Sequence, residues 1–180
     1  MSTFRLRPDP LDGSNTQNVL ISLFKEVKNA AHLLEIAKSG QMFAAAIRAS
    51  MIPDQFVLLT AINQALYNEK HQCMKTKTLY AETLYCLAPT KSISHCLQTF
   101  GLQESTSAVV FVFFGEEGSA AHKEISSQVD GEEVPLEQLD EHFDLQAVQT
   151  VYDLKNLKKP NLVETVLTKM HTKDFLRSCC

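Results

Sequence analysis

The sequence lacks the short motifs that mark most familiar enzymes. Its 180 residues include only six glycines, and none of them forms part of a phosphate-binding loop or a G-x-G-x-x-G run. No G-x-S-x-G elbow and no kinase or zinc-protease motif occurs. Nucleotide hydrolysis or acyl transfer at a site of known type is therefore not expected.

Long apolar runs and paired cysteines are also missing. The longest apolar run, from Ala108 to Phe114, is far shorter than the ~20 residues that span a bilayer. Arg5 and Arg7 near the N-terminus precede no apolar stretch, so no export signal is predicted. The five cysteines are odd in number and unevenly spaced, which favours free thiols in a reducing compartment. We expect a soluble protein of the cytosol or nucleus.

The overall composition is that of a globular protein. Hydrophobic residues make up 44% of the chain and charged residues 21%, a balance that excludes a disordered or fibrous protein. The net charge of −4 is unevenly distributed, because residues 1–100 carry +3 and residues 101–180 carry −7. A uniformly basic surface that coats nucleic acid is thus excluded, although one basic patch is compatible with the total.

Hydrophobic periodicity predicts a single α+β domain with a small mixed or antiparallel sheet and about six to eight helices. We place this domain over residues 1–176 and treat residues 177–180 as an extra tail. The predicted strands are Thr3–Arg7, paired with Val19–Phe24, and a central Ala108–Phe114. The predicted helices are Val27–Gly40, Gln55–Asn68, Thr78–Leu87 and Ser92–Phe100, with further short helices in the acidic segment 116–144 and a C-terminal helix.

Three details of this assignment depend on local signals. Residues 43–52 are ambiguous and are interpreted as a short helix followed by an extended piece. Pro53 suits the first turn of the helix that follows it, whose apolar positions include Phe56. Asn161 and Glu164 form a capping pair that predicts the start of the last helix.

The stretch Met74–Glu82 is the best candidate for a binding site. Two lysines and two threonines lie at the entrance of a predicted helix, where backbone N–H groups and the helix dipole favour an anion such as phosphate. Glu82 lies one turn inside this helix, and if it points inward it must be paired. A lysine partner for Glu82 and an external anion at Lys75–Thr78 are both compatible with the pattern.

Metal sites are not expected. His71, Cys73, Cys86, His95 and Cys96 could in principle gather around zinc, but no C-x-x-C pair occurs among them. The acidic turn Gly115–Gly118 could ligate a cation, but a solvated turn is the simpler interpretation. No metal, no cofactor and no catalytic residue is predicted.

Several segments, in unbroken order over about residues 18–176, together resemble the PRPK-binding protein family, the small subunits that bind the atypical kinase PRPK in the EKC/KEOPS complex. They are Ser22–Ala31, Ile52–Phe56, Ala61–Ala65, Met74–Glu82, Ile93–Gly101, Ile125–Gly131, Val151–Leu154 and Thr172–Asp174.

The resemblance implies a non-catalytic subunit of the machinery that installs N6-threonylcarbamoyl on tRNA adenosine. Such a subunit is expected to bind the kinase, to contact the other EKC/KEOPS subunits through it, and to support its ATPase activity. The family also implies that the tRNA 3′ end is held within the complex, and that the complex is linked to telomere maintenance.

Candidate contact residues follow from combining this resemblance with the residue pattern. Lys75, Lys77, Thr78 and Tyr80 are the tRNA candidates, with Phe24 as a second surface for base stacking. For the kinase, the C-terminal helix offers Leu162, Val166 and Met170 as apolar anchors, with Lys169 and Lys173 at the rim. The alternative is that this helix closes the core.

Two other functions are compatible with the residues. One is a small enzyme that uses the Lys/Thr/Glu cluster, which the absence of a nucleophile or cofactor loop disfavours. The other is a stand-alone RNA-binding protein, which the acidic second half disfavours. The terminal Cys179-Cys180 resembles the doubly prenylated tails of Rab GTPases, but no GTPase domain is present, so an exposed thiol tail without membrane attachment is expected.

Overall fold

A computed structural model describes residues 1–12, 16–115, 117–154 and 159–173, and its centre is a five-stranded sheet. The predicted tail lies outside the described residues. Every strand pairing is antiparallel, so the predicted α+β class is confirmed. The strands are β1 (Ser2–Leu6), β2 (Gln17–Lys25), β3 (Ala45–Arg48), β4 (Val109–Phe114) and β5 (Glu132–Val134).

The strand order is β1-β2-β4-β3, with β5 paired to β2. Along one edge of β2, β1 pairs with residues 17–21 and β5 pairs with residues 23–25. The other edge of β2 pairs with β4, which in turn pairs with β3. The prediction of a β1–β2 pair and of a central strand β4 is therefore confirmed.

The sheet is buried on both faces. Val110 and Val112 of β4 face one apolar core, and Phe111 and Phe113 face a second, because successive side chains of a strand point to opposite sides. All four side chains are fully buried, and burying a side chain of this size contributes about 1.5–3 kcal/mol. This two-sided burial explains the unbroken apolar sequence of β4.

Helices cover the two faces unequally. α1 and α5 contribute buried side chains to the smaller core, whereas α2, α3, α4, α6 and α7 contribute to the larger one. Two 3-10 turns cover Ala49–Met51 and Leu136–Glu141. The α-helices are α1 (Ala30–Ser39), α2 (Gln55–Lys70), α3 (Leu79–Leu87), α4 (Ile93–Phe100), α5 (Gly118–Gln128), α6 (Leu145–Val151) and α7 (Lys159–Thr172).

Two helix starts differ from the prediction. α1 begins at Ala30 and not at Val27, because the amide of Val27 donates to the carbonyl of Ser107. Pro53 lies before α2, and Asp54 is the N-cap, with its side chain accepting from the amide of Phe56 at 2.7 Å. Gly40 ends α1 in the left-handed conformation, as predicted.

The prediction for residues 43–52, a short helix followed by an extended piece, has the two elements in the wrong order. The alanines at 44–46 favour a helix by propensity, but they are buried and lead into β3, which pairs with β4. The helical turn comes afterwards, at Ala49–Met51. Strand β5 was not predicted, because its three residues include two exposed glutamates.

The predicted capping pair of the last helix is also wrong. α7 already begins at Lys159, so Asn161 lies inside the helix, where its carbonyl accepts from the Thr165 hydroxyl at 2.7 Å. A capping signal in the sequence therefore marked a position two residues beyond the observed start.

Candidate nucleic-acid and partner interface

Residues 73–78, which we term the lysine loop, connect the end of α2 to the start of α3. At its far end Thr78 is the N-cap of α3, and its hydroxyl accepts from the amide of Ala81 at 3.2 Å. The loop carries Lys75 and Lys77, both exposed. Its conformation is set by one side chain of α3, Glu82.

Glu82 is fully buried, and its carboxylate accepts four hydrogen bonds. Oε2 accepts from the amides of Lys75 at 3.0 Å and Thr76 at 2.9 Å and from the Thr76 hydroxyl at 2.8 Å. Oε1 accepts from the side-chain amide of Asn68 at 2.8 Å. The position in the first turn of α3 adds the favourable field of the helix N-terminus.

This arrangement overturns the first sequence interpretation of the stretch and narrows the second. Glu82 has no lysine partner, since no described Lys, Arg or His nitrogen lies within 4.0 Å of its carboxylate. The backbone amides of Lys75 and Thr76 are not open to an external anion, because Glu82 occupies them. The ammonium groups of Lys75 and Lys77 stay exposed.

Three of the four predicted tRNA residues line one of two cavities. Lys75 lines a cavity of about 760 Å³, which we term the polar cavity. Thr78 and Tyr80 line a cavity of about 890 Å³, which we term the apolar cavity. Lys77, between them in sequence, is exposed. The structure therefore places the lysine loop between two concave surfaces.

The polar cavity carries a cluster of basic side chains. Lys75, Lys91, His171 and Lys173 all line it, although they come from the lysine loop, from the α3–α4 connection and from the end of α7. No Asp or Glu lines the cavity within the described part of the chain. Such a one-sided charge distribution attracts anions.

Lys173 differs from the other three because it is buried. Its ammonium group donates to the carbonyls of Tyr85 and Ala88, the latter at 3.1 Å, and lies 3.9 Å from the centre of the Tyr85 ring. These carbonyls are at the C-terminal end of α3, where a cation is favoured. Lys173 therefore belongs to the internal structure and is not the rim residue predicted from the sequence.

The apolar cavity has an aromatic and aliphatic lining with few charges. Tyr80 and Phe43 line it together with Leu34, Leu84 and Leu97. Tyr80 is half-buried, its ring centre is 6.0 Å from that of Phe114, and burial raises the pKa of its hydroxyl, with a smaller contribution from Glu117 and Glu69. Phe24, the other predicted stacking residue, is 3% exposed and packs edge-on against Phe111, so it cannot stack on a base.

The apolar side chains predicted for a kinase interface close the core. Leu162, Val166 and Met170 on α7 are all buried in the larger core. This corrects the prediction that they are interface anchors, because a side chain in the core has no surface left for a partner. Lys169 is half-exposed and donates to the carbonyl of Asp153 at 3.3 Å.

Exposed apolar residues occur elsewhere and were missed. Phe56 on α2 is 60% exposed, although it counts among the apolar positions predicted for this helix. Tyr67, three helical turns further along α2, stacks against His71 with 4.2 Å between the ring centres. Phe43 is 58% exposed at the apolar cavity, where Leu97 is also exposed. The eleven-residue spacing between Phe56 and Tyr67 places both on one face of the helix, and this spacing is the sequence feature that could have identified them.

The described residues contain no group of three His, Cys, Asp or Glu side chains that could hold a metal ion. Cys86 and Cys96 are buried and Cys73 is exposed, and all three are free thiols. Glu116 of the acidic turn and the terminal Cys179-Cys180 lie outside the described residues. No described helix is both long and apolar enough to cross a membrane.

Comparison with known proteins decides the family. Residues 24–174 match the model of the family described as kinase binding protein CGI-121. The chain belongs to this family. The CGI-121 match contains the lysine loop, both cavities and all of α7.

Curated relatives of this CGI-121 protein carry names that refer to one complex. The EKC/KEOPS complex subunit TPRKB of Danio rerio is 34% identical over 155 residues, which is 84% of this chain and 89% of the relative. The EKC/KEOPS complex subunit CGI121 of Yarrowia lipolytica is 32% identical over 142 residues, 77% of this chain and 80% of the relative. The Candida glabrata subunit of the same name is 27% identical over 155 residues, 84% and 87% respectively. The resemblance stated from the sequence is therefore confirmed.

Proposed function

We propose that this CGI-121 protein is a non-catalytic subunit of the EKC/KEOPS complex that binds the atypical kinase PRPK and supports its ATPase activity. The observation that carries the proposal is the match to a kinase-binding family over residues 24–174. The absence of familiar catalytic motifs in the sequence is consistent with it.

The kinase contact requires apolar side chains that are exposed. Because α7 buries Leu162, Val166 and Met170, we assign the contact to two pairs of exposed apolar residues. These are Phe56 and Tyr67 on α2 and Phe43 and Leu97 at the apolar cavity. Aromatic side chains of this kind commonly supply most of the energy of an interface. Lys169 remains a candidate for a polar contact at the edge of α7.

Co-purification and an ATPase assay test this part. The chain and PRPK should elute together at one-to-one stoichiometry, and the ATPase rate of the kinase should rise when the chain is added. Replacing the two pairs separately, Phe56→Ser with Tyr67→Ser and Phe43→Ser with Leu97→Ser, should identify the pair that weakens binding. Failure of the unsubstituted chain to form a complex would remove the proposal.

We further propose that the subunit contacts tRNA during threonylcarbamoyladenosine modification, through the lysine loop. Lys75 and Lys77 are exposed, and neither has an acidic partner within 4.0 Å in the described part of the chain. Lys75 also joins the basic cluster of the polar cavity. Thr78 at the end of the loop and Tyr80 in the first turn of α3 both line the apolar cavity, where Tyr80 offers a half-buried ring for a base.

Charge reversal tests the tRNA contact. Lys75→Glu with Lys77→Glu should weaken crosslinking of tRNA to the assembled complex and leave kinase binding intact. The matched control is Lys28→Glu with Lys123→Glu, which changes the net charge equally at exposed lysines next to α1 and on α5. Equal crosslinking by both double variants would reject the assignment of the contact to the lysine loop.

The proposal includes a location in the cytosol and nucleus. Its support is the set of three free thiols among the described cysteines, which suits a reducing compartment. Imaging of the tagged chain in cells checks this expectation, and accumulation in the secretory pathway would contradict it.

A further inference from the structure

We infer that Glu82 is a positioning residue for the tRNA contact: its buried carboxylate fixes the backbone of the lysine loop and so sets where Lys75 and Lys77 present their charges. This inference rests on the proposed function. It concerns a side chain that no ligand can reach, because Glu82 is fully buried.

The surroundings of the Glu82 side chain require a hydrogen-bond acceptor that carries no hydrogen of its own. All four groups directed at Glu82 are donors: two backbone amides, the Thr76 hydroxyl and the Asn68 side-chain amide. The Asn68 oxygen is itself engaged by the amide of Gln64 at 2.8 Å. A neutral glutamine at position 82 would direct an N–H group at one of these donors and leave both without an acceptor.

The hydrogen bonds of Glu82 act on the lysine loop more than on the core. Oε2 accepts from the amides of residues 75 and 76, which lie seven and six positions before Glu82, whereas only Oε1 contacts the neighbouring helix α2, through Asn68. Other hydrogen bonds lie at the two ends of the loop, where the Cys73 amide donates to the Asn68 carbonyl at 2.9 Å and the Thr78 hydroxyl accepts from the Ala81 amide. Between the two lysines, the remaining contact is that of the Thr76 hydroxyl, which also lies 3.0 Å from the Thr78 carbonyl. Glu82 therefore provides most of the hydrogen bonds that shape the loop between its two lysines.

The order that Glu82 imposes on the lysine loop should also raise the affinity for tRNA. Fixing the backbone of a residue has an entropic cost. When Glu82 orders residues 75 and 76 during folding, that cost is not incurred again when the lysines meet phosphates. Loss of the carboxylate should therefore weaken tRNA binding by about tenfold to a hundredfold, the range that corresponds to ordering one or two residues.

A double-mutant cycle distinguishes positioning from a general structural role. The protein is studied as the full chain in complex with its kinase, and tRNA affinity is measured by fluorescence anisotropy. The variants are Glu82→Gln, Lys75→Met with Lys77→Met, and the triple substitution. If Glu82 acts through the lysines, Glu82→Gln weakens binding in the unsubstituted chain but has no further effect once the lysines are absent.

Three results would overturn the inference, and they are distinguishable. An equal loss from Glu82→Gln with and without the lysines would show a general structural role. No loss from Glu82→Gln in the unsubstituted chain would show that the loop needs no positioning. No loss from Lys75→Met with Lys77→Met would remove the tRNA contact of the proposed function itself.

A second variant keeps the test valid if Glu82→Gln fails to fold. Thr76→Val removes one of the four donors and should weaken tRNA binding by about threefold, since it removes one hydrogen bond of modest strength. Hydrogen exchange of the Lys75 and Thr76 amides should be accelerated in both variants. Unchanged exchange in Thr76→Val, together with unchanged affinity, would also contradict the inference.

Discussion

At the scale of single residues, two buried polar side chains complete the C-terminal end of α3. The Tyr152 hydroxyl donates to the carbonyl of Leu87, and the Lys173 ammonium donates to those of Tyr85 and Ala88. The last carbonyls of a helix have no partner within it, so side chains or water must supply one. Tyr152 and Lys173 follow α6 and α7, so these contacts also bind both elements to α3.

Tyr152→Phe should destabilise the protein without changing its fold. The substitution keeps the buried ring but leaves the Leu87 carbonyl unsatisfied, which costs about 1–3 kcal/mol. Urea unfolding at neutral pH measures the difference. A loss below about 0.5 kcal/mol, the range of an ordinary surface substitution, would indicate that water replaces the hydroxyl.

The same residue predicts how stability responds to alkaline pH. Burial raises the pKa of the Tyr152 hydroxyl strongly, with a smaller contribution from Cys96, whereas in the unfolded chain the pKa is about 10. The stability contributed by neutral Tyr152 is therefore complete below pH ~10 and is lost as the pH rises above it. The free energy of unfolding, measured from pH 8 to 11, should fall less steeply in Tyr152→Phe than in the unsubstituted chain. Parallel curves would contradict this assignment.

At the scale of elements, α7 closes the larger core and exposes the opposite side of its surface. Leu162 and Val166 are fully buried, while Glu164 between them is exposed. The amphipathic pattern of this helix was visible in the sequence, but a pattern of this kind cannot distinguish packing within a chain from packing against a partner. The structure assigns the apolar side to the core.

Leu162→Ala and Glu164→Ala form a matched pair for this helix. Leu162→Ala should cost about 2–5 kcal/mol because it leaves a cavity in the core, and Glu164→Ala should stay within about 0.5 kcal/mol. Urea unfolding of the free chain measures both. If Leu162→Ala had little effect on stability but abolished kinase binding, the original prediction of an interface anchor would be restored.

The elements that the sequence predicted well are those with a long periodic pattern. The spacing of apolar residues such as Leu58 and Leu66 predicts α2, and the apolar run that contains Val110 and Val112 predicts β4. The alternation of polar and apolar residues predicts the β1–β2 pair. Short elements were harder, because their few residues hold little pattern. β3 was obscured by its alanines and β5 by its exposed glutamates.

The candidate site shows a different limit. The sequence located Lys75, Thr78 and Glu82 in one functional stretch, but it could not show that Glu82 binds backbone amides. Side-chain spacing carries no information on backbone donors in a loop, whose conformation depends on tertiary packing. The division of the stretch between two cavities likewise depends on α1, which lines the apolar cavity, and on α7, which lines the polar cavity, and both helices are distant in sequence.

At the scale of the whole molecule, one sheet supports two cores. β2 and β4 contribute alternate side chains to both cores, so neither core can be lost while the other keeps its strands intact. The basic cluster of the polar cavity is built on the larger-core side, through α2, α3 and α7. The acidic segment formed by β5 and the 3-10 turn after it also packs on the larger core, through Val134, Leu136 and Leu139.

Unfolding should therefore be a single cooperative transition. The chain has four tyrosines and no tryptophan. The tyrosines lie on α2, on α3 and after α6, and three of them belong to or pack against the larger core, whereas α1 and α5 carry none. Tyrosine fluorescence thus reports the larger-core side, whereas far-ultraviolet circular dichroism reports all helices. The two urea curves should coincide, and Phe111→Leu in the smaller core should shift both together. A circular dichroism change that precedes the fluorescence change would show that α1 and α5 melt separately.

The buried carboxylate of Glu82 also determines what kind of selectivity the lysine loop can offer. Backbone amides hold a phosphate in a fixed geometry, but those of Lys75 and Thr76 are already bound. The ammonium groups of Lys75 and Lys77 stand on flexible stems and act as point charges with no preferred direction of approach. Such groups discriminate by charge and not by nucleotide sequence. In the proposed complex the lysine loop therefore supplies affinity that decreases with salt, and the choice among RNAs falls to base contacts and to other subunits.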